Sequence, residues 1–144
     1  MEKQQFHLFL SSADSLEYYP TNNAGHFIVH LPETLKLEGD WWVALSDISY
    51  PEPLYTTCIN VTTTICEDSV WRGAKQAILR RITTDGNANH HIFALPYYQR
   101  VRGKEIDWLS IYIRDENNQP VSFIKGTLTC TLHFCRGFNR LGVK

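Results

Sequence analysis

Six histidines and four cysteines are the side chains best equipped here for nucleophilic or metal chemistry. A nucleophile needs a base within reach, and zinc needs three or four ligands. His90 and His91 are adjacent at a turn-to-strand junction, with no Gly-x-Ser-x-Gly elbow beside them. His26 and His30 would share a strand face as two ligands do. They alternate with Phe27, Val29 and Leu31, however, which puts them on the solvent side with no further pair to complete a site. Cys58, Cys66, Cys130 and Cys135 contain no Cys-x-x-Cys pair. On one strand, the odd separation of Cys130 and Cys135 puts them on opposite faces, where they cannot bridge. The expectation is a chain with no catalytic residue, no metal and no cofactor, and not an enzyme. A hydrolase or metal-dependent binder is an alternative that stoichiometric bound metal would revive.

Charge chemistry is equally restrained. Net charge is −1, from 14 basic and 15 acidic residues, so no overall field recruits nucleic acid. Arg72, Lys75, Arg80 and Arg81, then Arg100, Arg102 and Lys104, form two local basic clusters. Consecutive Arg80 and Arg81 point to opposite faces of a strand, so they do not build one patch. Any contact with nucleic acid is expected to be local. Asn60-Val61-Thr62 fits a glycosylation acceptor, but the polar Met1–Gln5 start carries no secretory signal. A reducing intracellular compartment is therefore expected. No apolar run approaches the ~20 residues of a membrane span.

The elements that position these groups are strands. Valine, isoleucine and threonine number 30 against 7 alanines, which favours pleated, half-buried surfaces. Period-2 alternation marks Phe6 to Ser11, Phe27 to Leu31 stopped by Pro32, and Trp41 to Tyr50 with a slip of apolar phase near Ser46-Asp47 that implies a bulge. Leu54 to Cys66 reads as one long two-faced ribbon. Ala74 to Ile82 fits a helical stripe as well as a strand and is read as strand, ending in a hairpin-like turn at Thr83-Thr84-Asp85-Gly86. His91 to Leu95, Ile106 to Arg114 and Thr127 to Cys135 follow, with Asn118 available for a left-handed turn position. Arg136 to Lys144 reads as a loosely held basic tail. The result is one all-β domain over residues 1–144 with about eight antiparallel strands, as a sandwich or barrel. Strand count leaves jelly roll, immunoglobulin-like sandwich and up-and-down barrel open.

Aromatic doubling carries the most information. Tyr18-Tyr19, Trp41-Trp42, Tyr97-Tyr98 and the pair Trp108 and Tyr112 put large rings on both faces of strands that need only one apolar face. The extra rings are either covered by a loop or buried against another chain. Trp41, Trp42, Tyr97, Tyr98, Trp108 and Tyr112 are the candidate subunit-contact residues, expected to divide between core and interface.

Two stretches add a resemblance. The first runs from Tyr19-Pro20 through Phe27-Ile28-Val29-His30-Leu31-Pro32 to Leu37-Glu38-Gly39-Asp40-Trp41-Trp42-Val43-Ala44-Leu45 and Ile48-Ser49-Tyr50-Pro51. The second comprises Ile113-Arg114-Asp115, Pro120, Phe123, Gly126 and Leu132-His133-Phe134. Together they cover about half the chain and resemble the minor capsid (penton) proteins of Polinton/Maverick elements and the related adintoviruses. Asn118 stands where that family usually has glycine, and the middle, Cys58 to Gly103, matches weakly. The resemblance implies a single jelly-roll subunit of the virion that assembles as a homopentamer at icosahedral fivefold vertices, surrounded by a double-jelly-roll major capsid protein. Gly39, Pro51, Asp115, Pro120 and Gly126 are then turn and strand-end residues. A receptor- or ligand-binding sandwich, such as a viral spike or fibre head, is the alternative.

Overall fold

The computed structural model describes residues 4–54, 56–84 and 89–137. Alternation sets the first element, β1 (Gln5–Ser11), where Phe6, Leu8 and Leu10 turn inward and leave His7 and Phe9 outside. In β2 (His26–Lys36), Phe27, Val29 and Leu31 are buried. Pro32 does not end β2, contrary to the sequence expectation. The strand lies at a sheet edge, and its ladder slips between His30 and Leu35, so proline sits where no N–H is required. In β3 (Trp41–Ser49), Leu45 pairs Leu132 while Asp47 pairs Thr131. Ser46 is the extra residue of a bulge, which accounts for the slip in apolar phase.

The ribbon expected over Leu54 to Cys66 is shorter, with only β4 (Cys58–Thr63) extended and every residue in it buried. Tyr55 lies outside the described residues. Leu54 is instead held by its N–H donating to the Ser122 carbonyl. A small hairpin follows, β5 (Ser69–Trp71) with β6 (Ala74–Gln76), turned by Arg72 and Gly73, both at positive φ (51° and 79°). The segment after it is β7 (Ile78–Thr83), so the ambiguous stretch is strand, broken at Ala77. The turn expected at Thr83 to Gly86 does not make a hairpin. β7 pairs β4, whereas β8 (His90–Ile92) pairs β3 in the other sheet; Asp85 and Gly86 lie outside the described residues. β9 (Gln99–Arg100), β10 (Glu105–Arg114) and β11 (Thr129–Arg136) complete the order.

One sheet runs β1-β11-β3-β8, with β9 also on β3, and the other runs β2-β10-β4-β7, all pairings antiparallel. Val43, Leu45, Ile48, Leu132 and Phe134 of the first share one core with Phe27, Val61, Leu109, Ile111 and Ile113 of the second. This is an all-β sandwich.

The turn and strand-end residues have defined contacts. Asp115 Oδ1 accepts from the N–H groups of Asn117 and Gln119 at 2.8 and 2.9 Å, and Asn118 takes φ 62°, the left-handed position foreseen for it. Pro120 then bridges Arg114. Pro120 and Gly126 do not frame a hairpin between β10 and β11, because those strands belong to different sheets. A Cβ on Gly126 would meet the Pro51 ring at 2.9 Å, so the two stretches of the resemblance touch there. Gly39 turns at φ 88° against the Arg136 side chain. Arg136 ends β11, and Gly137 N–H donates to the Asp40 carbonyl; residues 138–144 of the expected tail lie outside the described residues.

Candidate assembly surfaces

The outward face of the first sheet is built in rows by its register. Phe9, Thr131, Asp47 and Ile92 stand side by side, then His7, His133 and Ala44, then Gln5, Cys135, Trp42 and Arg100. His133 is the hub. Its Nδ1 lies 2.7 Å from the Tyr98 hydroxyl, its Nε2 lies 2.7 Å from Gln5 Oε1, and its ring stacks on His7 at 4.6 Å. Ala44 and Cys135 are buried on this outward face, where Tyr98 lies half-buried. Phe9 and Ile92, 77% and 76% exposed, end a row whose centre is closed by the Thr131 hydroxyl donating to Asp47.

Burial, then the neighbouring His7, lowers the pKa of His133; burial and then Arg114 lower that of His26. The folded protein thus resists taking protons that the unfolded chain takes near the ordinary histidine value of about 6.5. Stability from these two groups is present above that pH and falls as pH is lowered through it. Melting temperature is expected to drop between pH 7.5 and pH 5. A His26→Gln/His133→Gln variant should show a flatter dependence, and an unchanged slope would refute the assignment.

The outward face of the second sheet carries Trp108, half exposed and paired with His30, and Tyr112, paired with His26. Tyr112 stacks on His26 at 4.3 Å, with the Arg114 guanidinium 4.2 Å from its ring. Tyr18 packs on His30 at 4.5 Å. His26 and His30 do share a face, each against a tyrosine ring. Among the described residues no group of three or more His, Cys, Asp or Glu could hold a metal ion.

Over β4 lies the β5–β6 hairpin. Trp71 Nε1 donates to the Glu116 carbonyl at 3.1 Å, and Arg81 reaches under the Trp71 ring to Cys58 Sγ. The remaining arginines of the two basic clusters also have partners: Arg72 with Glu116 and Asn117, Arg100 with Asp40, and Arg102 with Asp68. Arg80 and Arg81 do diverge, with Arg80 turned toward the β8 side of the sandwich. Asn60 is 1% exposed, so its acceptor pattern is closed in the folded chain. All four cysteines are buried thiols, and burial raises Cys66 and Cys130 to about 12, far from the thiolate that attack requires.

The six ring residues singled out by sequence do not converge. Trp41 belongs to the core, 7% exposed, with Nε1 donating to the Glu38 carbonyl at 3.0 Å and Phe6 packed at 5.4 Å. Trp42 and Tyr98 lie on the first outward face, Trp108 and Tyr112 on the second, and Tyr97 at the β7–β8 side. Phe9, Ile92 and Leu95 are more exposed than any of the six, and sequence reasoning passed over them. Phe9 could have been flagged by its position between the inward residues Leu8 and Leu10.

Among known proteins, no family model matches the chain, and no curated protein matches it.

Proposed function

We propose that this chain is a structural capsid subunit of the penton type, a single jelly roll that assembles as a homopentamer at icosahedral fivefold vertices. The observation that carries the reading is strand order. Numbered among themselves, the eight strands of the two main sheet paths run 1-8-3-6 opposite 2-7-4-5. First and last strands are neighbours, and each sheet mixes early and late strands, as nested Greek keys require. An up-and-down barrel would instead pair each strand with its successor. The resemblance of the two end stretches, which meet at Pro51 and Gly126, supports the same reading. Exposed rings on both outward faces give one subunit several surfaces for other copies and for a double-jelly-roll major capsid protein. The task is assembly rather than turnover.

Multi-angle scattering and negative-stain images of the purified protein at high micromolar concentration test this. Five-copy rings are the expected result. A monomer that also fails to join the double-jelly-roll partner would count against the reading, and a trimer would favour a spike or fibre head.

A further inference from the structure

The two open sides of the sandwich differ in shape. On one, β1 and β2 stand next to each other and enclose a groove of about 500 Å³ with Phe6, Leu8, Leu35, Leu37 and Trp41 along it. Lys36, Glu38 and Arg136 stand among the lining residues, so the charged groups at the groove are of both signs. On the other side, β7 and β8 are tied together by Arg80. Its guanidinium carbon lies 3.9 Å from the ring centroids of both Phe93 and Tyr97, and Nη1 donates to the Leu95 carbonyl at 3.0 Å. This clamp fixes the backbone of Phe93-Ala94-Leu95-Pro96-Tyr97 while Leu95 is 79% exposed and Tyr97 60% exposed. A soluble chain gains nothing from stiffening an apolar loop in water, whereas a docking element gains because less freedom is lost on binding.

We propose that copies of this chain join head to tail, the Leu95–Tyr97 knob of one seating in the Phe6–Trp41 groove of the next; this rests on the self-assembly reading above. The occupant is a second copy because knob and groove sit on opposite sides of one subunit. A heterologous contact that uses both leaves neither exposed once the ring closes. The tip from Ala94 to Tyr97 carries no charge, so it meets the groove's Lys36, Glu38 and Arg136 without repulsion. Area agrees with a contact that needs closure. Leu95 and Tyr97 together offer on the order of 270 Å², about a third of what one partner buries in a standard interface, so a single contact is weak and the ring is stable by repetition.

The test compares wild type with Leu95→Arg, which removes the knob, and Leu35→Arg, which blocks the groove, by mass photometry at matched concentration. Each variant alone is expected to be monomeric. Leu95→Arg, at a 79% exposed position, should keep a melting temperature near wild type, whereas Leu35→Arg, whose side chain packs partly on the core, is compared only after circular dichroism shows it folded. Mixed in equal amounts at high micromolar concentration they should form, in multi-angle scattering, a weakly held two-copy species and nothing larger, since one intact knob and one intact groove remain. A Leu95→Cys/Lys36→Cys variant, altered only at exposed positions, should give cross-linked ladders up to five copies on oxidation, while neither single variant does. Rings that persist in Leu95→Arg, or assembled double variant that does not cross-link, would overturn the knob and groove and leave the pentamer reading standing. Wild type that never self-associates, either alone or with the double-jelly-roll partner, would overturn both.

Discussion

Replacing Trp41 by alanine should cost about 3–5 kcal/mol, because a fully packed indole leaves both its transfer energy and a cavity behind. The side chain is 7% exposed, packs against Phe6, and gives its N–H to the Glu38 carbonyl just before the strand it begins. Its removal also leaves that carbonyl to find another donor. Against a total stability of roughly 5–15 kcal/mol, this is a large share. A fall in melting temperature on the order of 10 °C is expected in calorimetry. Trp108→Ala is the control: the ring is 49% exposed, so its loss should move the melting temperature little. If Trp108 is a subunit contact, its alanine variant should weaken assembly with the fold intact. A small effect at Trp41 would mean that its ring is not part of the core.

Asn60→Val should stabilise the protein. Asn60 lies on β4 between Arg114 of β10 and Arg81 of β7, 1% exposed, and neither Oδ1 nor Nδ2 has a hydrogen-bond partner among the described residues. A buried amide left in that state costs about 1–3 kcal/mol. Valine removes the polar atoms, keeps a comparable volume and suits an extended backbone. A rise in melting temperature of about 3 °C or more is expected from thermal unfolding followed by circular dichroism. A fall instead would show that the amide is bound to something the protein requires, which would make this position under the hairpin a site rather than a cost.

Much of the fold was legible because strand alternation is a local property. Leu109, Ile111 and Ile113, or Leu128, Cys130, Leu132 and Phe134, announce their inward faces without reference to any neighbour. The bulge at Ser46 was legible for the same reason, since an extra residue inverts the phase of everything after it. Asn118 at φ 62° followed from turn chemistry alone. Pro32 misled because a proline's cost depends on whether its nitrogen faces a partner strand, and that is settled by a strand more than seventy residues away. The supposed hairpin after Ile82 failed similarly: a turn sequence says that the chain reverses, not which sheet it enters. Trp41 and Trp42 were indistinguishable by type, and only packing separates the core ring from the half-buried one.

The candidate surfaces were the least legible. Sequence flagged rings by doubling, which caught Tyr97 but not Leu95, an ordinary leucine before a proline. Its exposure comes from the grip of Arg80 on the backbone beside it, a contact across fifteen residues and two sheets. The groove likewise joins residues of β1, β2 and β3 that share no pattern in the chain. Amino-acid order by itself determined the class, most strands and their inward faces, because those depend on side-chain period and backbone preference within a few residues. The pairing of first strand with last, the covering of β4, and the placing of a stiff apolar loop opposite an apolar groove were decided only by tertiary structure. They depend on which distant surfaces burial brings together.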